Sequence, residues 1–176
     1  MAEEDSSGLG LKFGTIEQAR AMLGESSPLR VAEFEVNLPM IQYYCAAVQD
    51  PNPAYWDPDV AAEIWGGIIA PPGMLQTWLL PLPWRPEGKQ DFTSMITLVP
   101  LPGEKPINVS TEFRFFEPVF VGDRLSMSDR LTDLSEEKTT RLGTGYFLTT
   151  EAEIRNQHGR LVATSTNVLF RYQAAA

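Results

Sequence analysis

The sequence predicts an α+β fold in which an antiparallel sheet is covered on one face by helices. Three observations carry that expectation. From Ile107 onward, apolar and polar residues alternate with the two-residue period of half-buried strands, and turn sequences separate the runs. Ahead of that half lie helical stretches with recognisable start and stop residues. Between the two halves is a short, strongly apolar stretch, Gly73 to Leu80, that Pro81 and Pro83 cut off. A sheet with one polar face must bury the other, and the helices are available to cover it.

Thr15 to Leu23 reads as a short helix, with Thr15 as N-cap and Gly24 as the stop. Arg30 to Val36 alternates, with Ala32, Phe34 and Val36 opposite Glu33 and Glu35, the pattern of a half-buried strand. Pro39 opens a second helix, in which Met40, Ile41, Tyr44, Cys45 and Val48 form an apolar stripe. Asp50-Pro51-Asn52-Pro53 ends it, because the prolines forbid further helix. Asp57 and Pro58 suit the N-cap and first position of a third helix through Ile64, closed by Gly66-Gly67. A fourth begins near Gly73, carries Met74, Leu75, Trp78 and Leu79, and lasts about two turns.

Residues 81 to 106 hold six prolines and few periodic apolar residues, so a long connection is expected there. Ile107, Val109, Thr111, Phe113 and Phe115 then share one strand face. Val121 to Arg124 turns the chain into a strand from Leu125 to Asp133. Tyr146, Leu148, Thr150, Ala152 and Ile154 alternate with Phe147, Thr149, Glu151, Glu153 and Arg155. Gln157 to Arg160 is a hairpin turn into the last strand, Val162 to Tyr172. Residues 30–173 are expected to form one domain, and residues 1–29 an N-terminal segment carrying the first helix.

With 176 residues, 43% hydrophobic content, nine Phe, five Tyr and four Trp, one well-filled core is expected. A net charge of -9 argues against nucleic acid or an anionic membrane as partner. The opening residues MAEEDSSG lack the apolar core of a signal peptide, and no apolar run approaches the ~20 residues of a membrane span. A cytoplasmic location is the expectation. The single cysteine, Cys45, excludes an internal disulfide and a cysteine-based zinc site. The sequence has no Gly-rich phosphate loop, serine elbow or paired-histidine metal motif. The only histidine, His158, sits in a hairpin turn, where exposure to solvent is the simplest expectation. A polyanionic small ligand would need a basic site; Arg124, Lys138 and Arg141 are candidates, although solvated turn residues are the simpler reading.

The stretch from Tyr43 to Leu80 carries a resemblance. Asp50-Pro51-Asn52-Pro53-Ala54-Tyr55 is similar to the Asp-x-Asn-Pro-x-His motif of the MaoC-like acyl-CoA hydratases, except that Tyr55 stands where the family places histidine. EFRFFEPVFVGDRL and NQHGRLVATSTNVLFRY resemble two further family segments, so the likeness runs from about residue 30 to 172. It implies a hot-dog fold, an antiparallel sheet wrapped around a central helix, here shortened. It also implies an enoyl-CoA thioester as substrate, with no cofactor and no metal. In that family an Asp and the His share proton transfer, and a backbone N–H at the central helix receives the thioester oxygen; Gly73 holds that position here.

Asn52 to Tyr55 and Ala70-Pro71-Pro72 most resemble the non-catalytic half of heteromeric bacterial steroid side-chain hydratases. The resemblance implies a hetero-oligomer in which a second hot-dog chain brings Asp and His. This chain would then shape the pocket for a bulky acyl group, with Trp78, Trp84 and Phe92 as candidate lining. Tyrosine titrates near ~10, so Tyr55 is a poor base at neutral pH, and Asp50 is vestigial or weak. Two other readings stay open: a self-sufficient hydratase using Asp50, and an acyl-CoA-binding or scaffolding module without hydratase activity.

Overall fold

The computed structural model describes residues 10–82, 84–88 and 93–174. Thr15 caps α1 (Ile16–Arg20) through a reciprocal pair with Gln18, and the chain turns at Gly24 (φ 88°). Asn37 caps α2 (Leu38–Val48), and Asp57 caps α3 (Pro58–Trp65), which Gly66 ends in the left-handed conformation. The apolar stretch is a 3₁₀ helix, Pro72–Trp78, rather than an α-helix. Prolines stand at both of its ends, and seven residues of the steeper 3₁₀ rise span only ~14 Å.

The sheet is wholly antiparallel. Its order is β1 (Arg30–Val31), β3 (Ser126–Leu134), β5 (Gly143–Arg155), β6 (Leu161–Ala174) and β2 (Lys105–Phe115), with β4 (Lys138–Thr140) also pairing β5. Along β5 the expected alternation holds: Tyr146, Leu148, Thr150, Ala152 and Ile154 are all buried. At one end of that face Ile154, Val162 and Ala163 join Met74, Leu75, Trp78 and Leu79 of the central helix, together with Ile41 and Cys45 of α2, in one apolar cluster. At the other end Leu131, Leu148 and Leu169 pack with Ala19 of α1 and with Met95, Val99 and Leu101. A helix this short covers half the sheet, and other segments cover the rest.

Three expectations change. The strand expected over 30–36 is only two residues long; Ala32 and Val36 are buried as expected, but Phe34 is exposed. The connection over 81–106 contains α4 (Met95–Leu98), capped by Ser94, with Met95, Val99 and Leu101 fully buried. In β2 the pairing skips Val109, a β-bulge. Phe113 and Phe115 therefore face the helices opposite Ser165 and Ala163, whereas Ile107 lies on the other face beside Phe170. Pro83 and Phe92 lie outside the described residues.

Candidate functional site

The helix α2 ends at Gln49, whose left-handed backbone (φ 57°) reverses the chain so that Asp50 donates its N–H to Cys45 O at 2.8 Å. The Asp50 carboxylate then turns inward on its own loop: Oδ1 accepts from Asn52 N at 3.0 Å, and its carbonyl accepts from Trp56 Nε1 at 2.8 Å. Asn52 Oδ1 in turn accepts from Ala54 N at 3.1 Å, starting a 3₁₀ turn over Pro53–Tyr55. That turn drives Tyr55 into the core, where its ring is 7% exposed. Burial, followed by the negative charge of Asp50, raises the Tyr55 pKa above the ordinary tyrosine value. The same two causes raise that of the neighbouring Cys45 thiol. Both groups stay protonated at neutral pH, so neither is a base.

Gly73 is the second residue of the central helix and is exposed. A β-carbon built on it would lie 2.6 Å from Tyr44 Oη, so any larger residue there would push that hydroxyl aside. Tyr44 also acts electrostatically on Tyr55. The C-terminal end of α2, the 50–55 turn and the start of the central helix thus converge, and the sequence-predicted Asp50, Tyr55 and Gly73 share one neighbourhood. In the sequence Tyr44 belongs only to the apolar stripe of α2; its place against Gly73 depends on a contact between two elements and has no local signal.

Trp78 is 3% exposed and belongs to the cluster around the central helix. It also lines a groove of about 300 Å³ with Leu29, Val31, Ala32, Leu80 and Pro81. Residues 21–165 match the family model described as the FAS1-like dehydratase domain region. The chain belongs to this dehydratase family.

Two relatives of the family are 34% identical to it. One is a probable enoyl-CoA hydratase alpha subunit from Thermomonospora curvata, aligned over 78% of this chain and 45% of its own length. The other is the 3-oxo-4,17-pregnadiene-20-carboxyl-CoA hydratase alpha subunit of Mycobacterium tuberculosis, aligned over 81% of this chain and 45% of its own. The chain thus spans about half the length of these curated relatives. Among solved structures, a chain of the ChsH1-ChsH2 complex from Mycobacterium tuberculosis superposes with a TM-score of 0.73 at 26% identity, covering 90% of this chain and 94% of that one. A MaoC-like dehydratase from Rhodospirillum rubrum, 18% identical with a TM-score of 0.59, has the same fold, so the hot-dog architecture expected from the motifs is the one observed.

The remaining candidates of this dehydratase-family domain stand elsewhere. Trp84 is 64% exposed and does not line the groove with Trp78. Arg124 spends its guanidinium on the chain itself, donating to Ala32 O at 3.1 Å and Glu33 O at 3.0 Å and pairing with Glu35. Lys138 and Arg141 are exposed at the β4–β5 hairpin, and His158 is exposed in its turn, bonded to Asn156 and facing Gln157. Among the described residues, no cluster of His, Cys, Asp and Glu suits a metal ion, and no helix is long and apolar enough to cross a membrane.

Proposed function

We propose that this chain is the acyl-pocket half of a heteromeric enoyl-CoA hydratase, and that a second hot-dog subunit supplies the catalytic Asp and His. The observation that carries the reading is Tyr55. Hydrating an enoyl thioester needs a base for water, an acid for Cα and donors for the thioester oxygen. At the position of the family's histidine this chain has a buried phenol whose pKa is raised, beside a carboxylate that already serves its own turn. The substrate is an acyl-CoA thioester, with no resident cofactor or metal. Two relatives named as hydratase alpha subunits support the reading, and the steroid acid in one of those names favours a bulky acyl group.

A partner also accounts for the edge of the sheet. The edge strand β2 leaves Ile107, Val109 and Phe115 exposed, with Phe116 just beyond it, and an unpaired apolar edge invites association. The test is hydration of crotonyl-CoA and of polycyclic enoyl-CoAs by this chain, by a hot-dog partner with an intact Asp-x4-His, and by the two mixed. The chain alone is expected to stay at background, and the mixture to turn over the polycyclic substrates. Robust turnover by the lone chain, or a partner whose activity and acyl preference ignore this chain, overturns the proposal.

A further inference from the structure

We infer that α3 docks on the hot-dog partner, which meets it with an apolar pocket bordered by lysine or arginine. That the occupant is a hot-dog subunit rests on the heteromer reading; the chemistry asked of it rests on α3 itself. Of the eight residues Pro58–Trp65, only Ala61 is buried. Ile64 and Trp65, on either flank of Ala61 around the helix, stay 60% and 47% exposed. A helix packed on the sheet would turn such residues inward, whereas the main contact of α3 is the 53–55 turn. Asp59 and Glu63, one turn apart and both exposed, ridge the outward face opposite Ala61.

Charge says what kind of surface fits. Between Arg30 and Arg85 the sequence has no lysine, arginine or histidine, but it carries Glu33, Glu35, Asp50, Asp57, Asp59 and Glu63. Glu33 and Glu35 pair with Arg85 and Arg124. Among the described residues, Asp57, Asp59 and Glu63 pair with no cation. A second copy of this chain meeting α3 about a two-fold would set these acids against themselves, while a basic partner gains from them. The helix also lies on the path from the sheet edge where the partner is placed. Phe115 and Phe116 end that edge, and the chain then returns beside residues 68–70: Ala70 donates its N–H to Val119 O at 2.7 Å and Val121 to Ile68 O at 3.1 Å. That pairing carries Val121, 43% exposed, and Phe120, beside Gly67, to the segment that leaves α3. From Phe116 to Val121 the chain spans at most ~18 Å. A standard interface of ~800 Å² per partner is about 30 Å across, so one partner on the edge reaches α3 as well. An exposed tryptophan among charges suits the anchor of such a contact.

The test is the affinity of this chain for a hot-dog partner with an intact Asp-x4-His, measured by calorimetry. Wild type is expected to bind about tenfold more weakly in ~0.5 M than in ~0.05 M salt. Trp65→Ala is expected to weaken binding by at least about tenfold. Glu63→Lys is expected to weaken it about fivefold in low salt and to reduce the salt dependence. A lysine in the last turn of α3 suits the helix dipole, so this variant gives a second readout should Trp65→Ala fold poorly. Wild-type affinity in either variant, salt-independent binding, no binding, or a homodimer of this chain that Trp65→Ala dissolves would each overturn the inference. Hydration by the mixture, with both variants binding like wild type, would overturn it and leave the hydratase reading standing. Binding through α3 without hydration would instead sink the hydratase reading and keep the inference.

Discussion

Asp129→Ala is expected to lower the unfolding free energy by about 3–5 kcal/mol, because it removes a buried carboxylate that three segments share. Asp129 is 4% exposed on β3, facing the helices. Its Oδ1 accepts from Ser27 Oγ at 2.5 Å, and its Oδ2 accepts from Ser94 Oγ at 2.7 Å and Met95 N at 2.9 Å. Ser27 Oγ closes the network by accepting from Asp129 N at 3.1 Å. The carboxylate thus fastens residue 27 and the first turn of α4 onto the sheet. Alanine leaves several donors buried and unmet, each at a cost of about 1–3 kcal/mol before relaxation. Urea unfolding at fixed protein concentration checks it, with a lower midpoint and an unchanged slope. An Asp129→Ala midpoint equal to wild type would mean that the network holds nothing in place.

Arg171→Ala should cost about 3 kcal/mol in the same measurement. Arg171 is fully buried on β6, donating from Nε to Gly103 O at 2.9 Å and from a terminal nitrogen to Val99 O at 3.3 Å, with its guanidinium 4.8 Å from the centre of the Phe13 ring. It therefore holds the 99–103 connection against the sheet while Phe13 covers it. Truncation opens a cavity and strands two carbonyls at once. Lysine is not an adequate replacement, since one ammonium lacks the planar fork that reaches both carbonyls. As a control, the exposed Arg130, paired loosely with Glu151, should change stability by less than ~0.5 kcal/mol on replacement by alanine.

These two residues also mark where sequence reading stops. Caps are local, so Thr15 with Gln18, and Asp57 with Pro58, announced the starts of α1 and α3 directly. The alternation of β5 is equally local and gave its buried face residue by residue. Asp129 and Arg171 stand on the strand faces of Leu131 and Leu169, but their charge argues for solvent; only partners 102 and 68 residues away along the chain make them interior groups. The bulge at Val109 leaves no mark in composition, yet it turns Ile107 away from Phe113. The short α4 was hidden because Pro100 and Pro102 dominate the stretch around it. At the site, the Asp50–Tyr55 motif and Gly73 are picked out by the family resemblance rather than by any local physical signal. That Tyr44 presses on Gly73, and that Ile64 and Trp65 stay exposed at the end of α3, required the folded chain.

The most direct test of the proposed division of labour is the kcat of Tyr55→Phe in a complex of this chain with the proposed hot-dog partner. Phenylalanine keeps the buried ring and removes only the hydroxyl, whose proton burial and Asp50 hold in place through the neutral range. If the acid and base lie on the partner, kcat on a polycyclic enoyl-CoA should fall by less than about threefold, with KM changing little. General acid–base groups contribute ~10²–10⁴-fold, so a loss of that size with KM unchanged would contradict the account and make this chain a catalytic half.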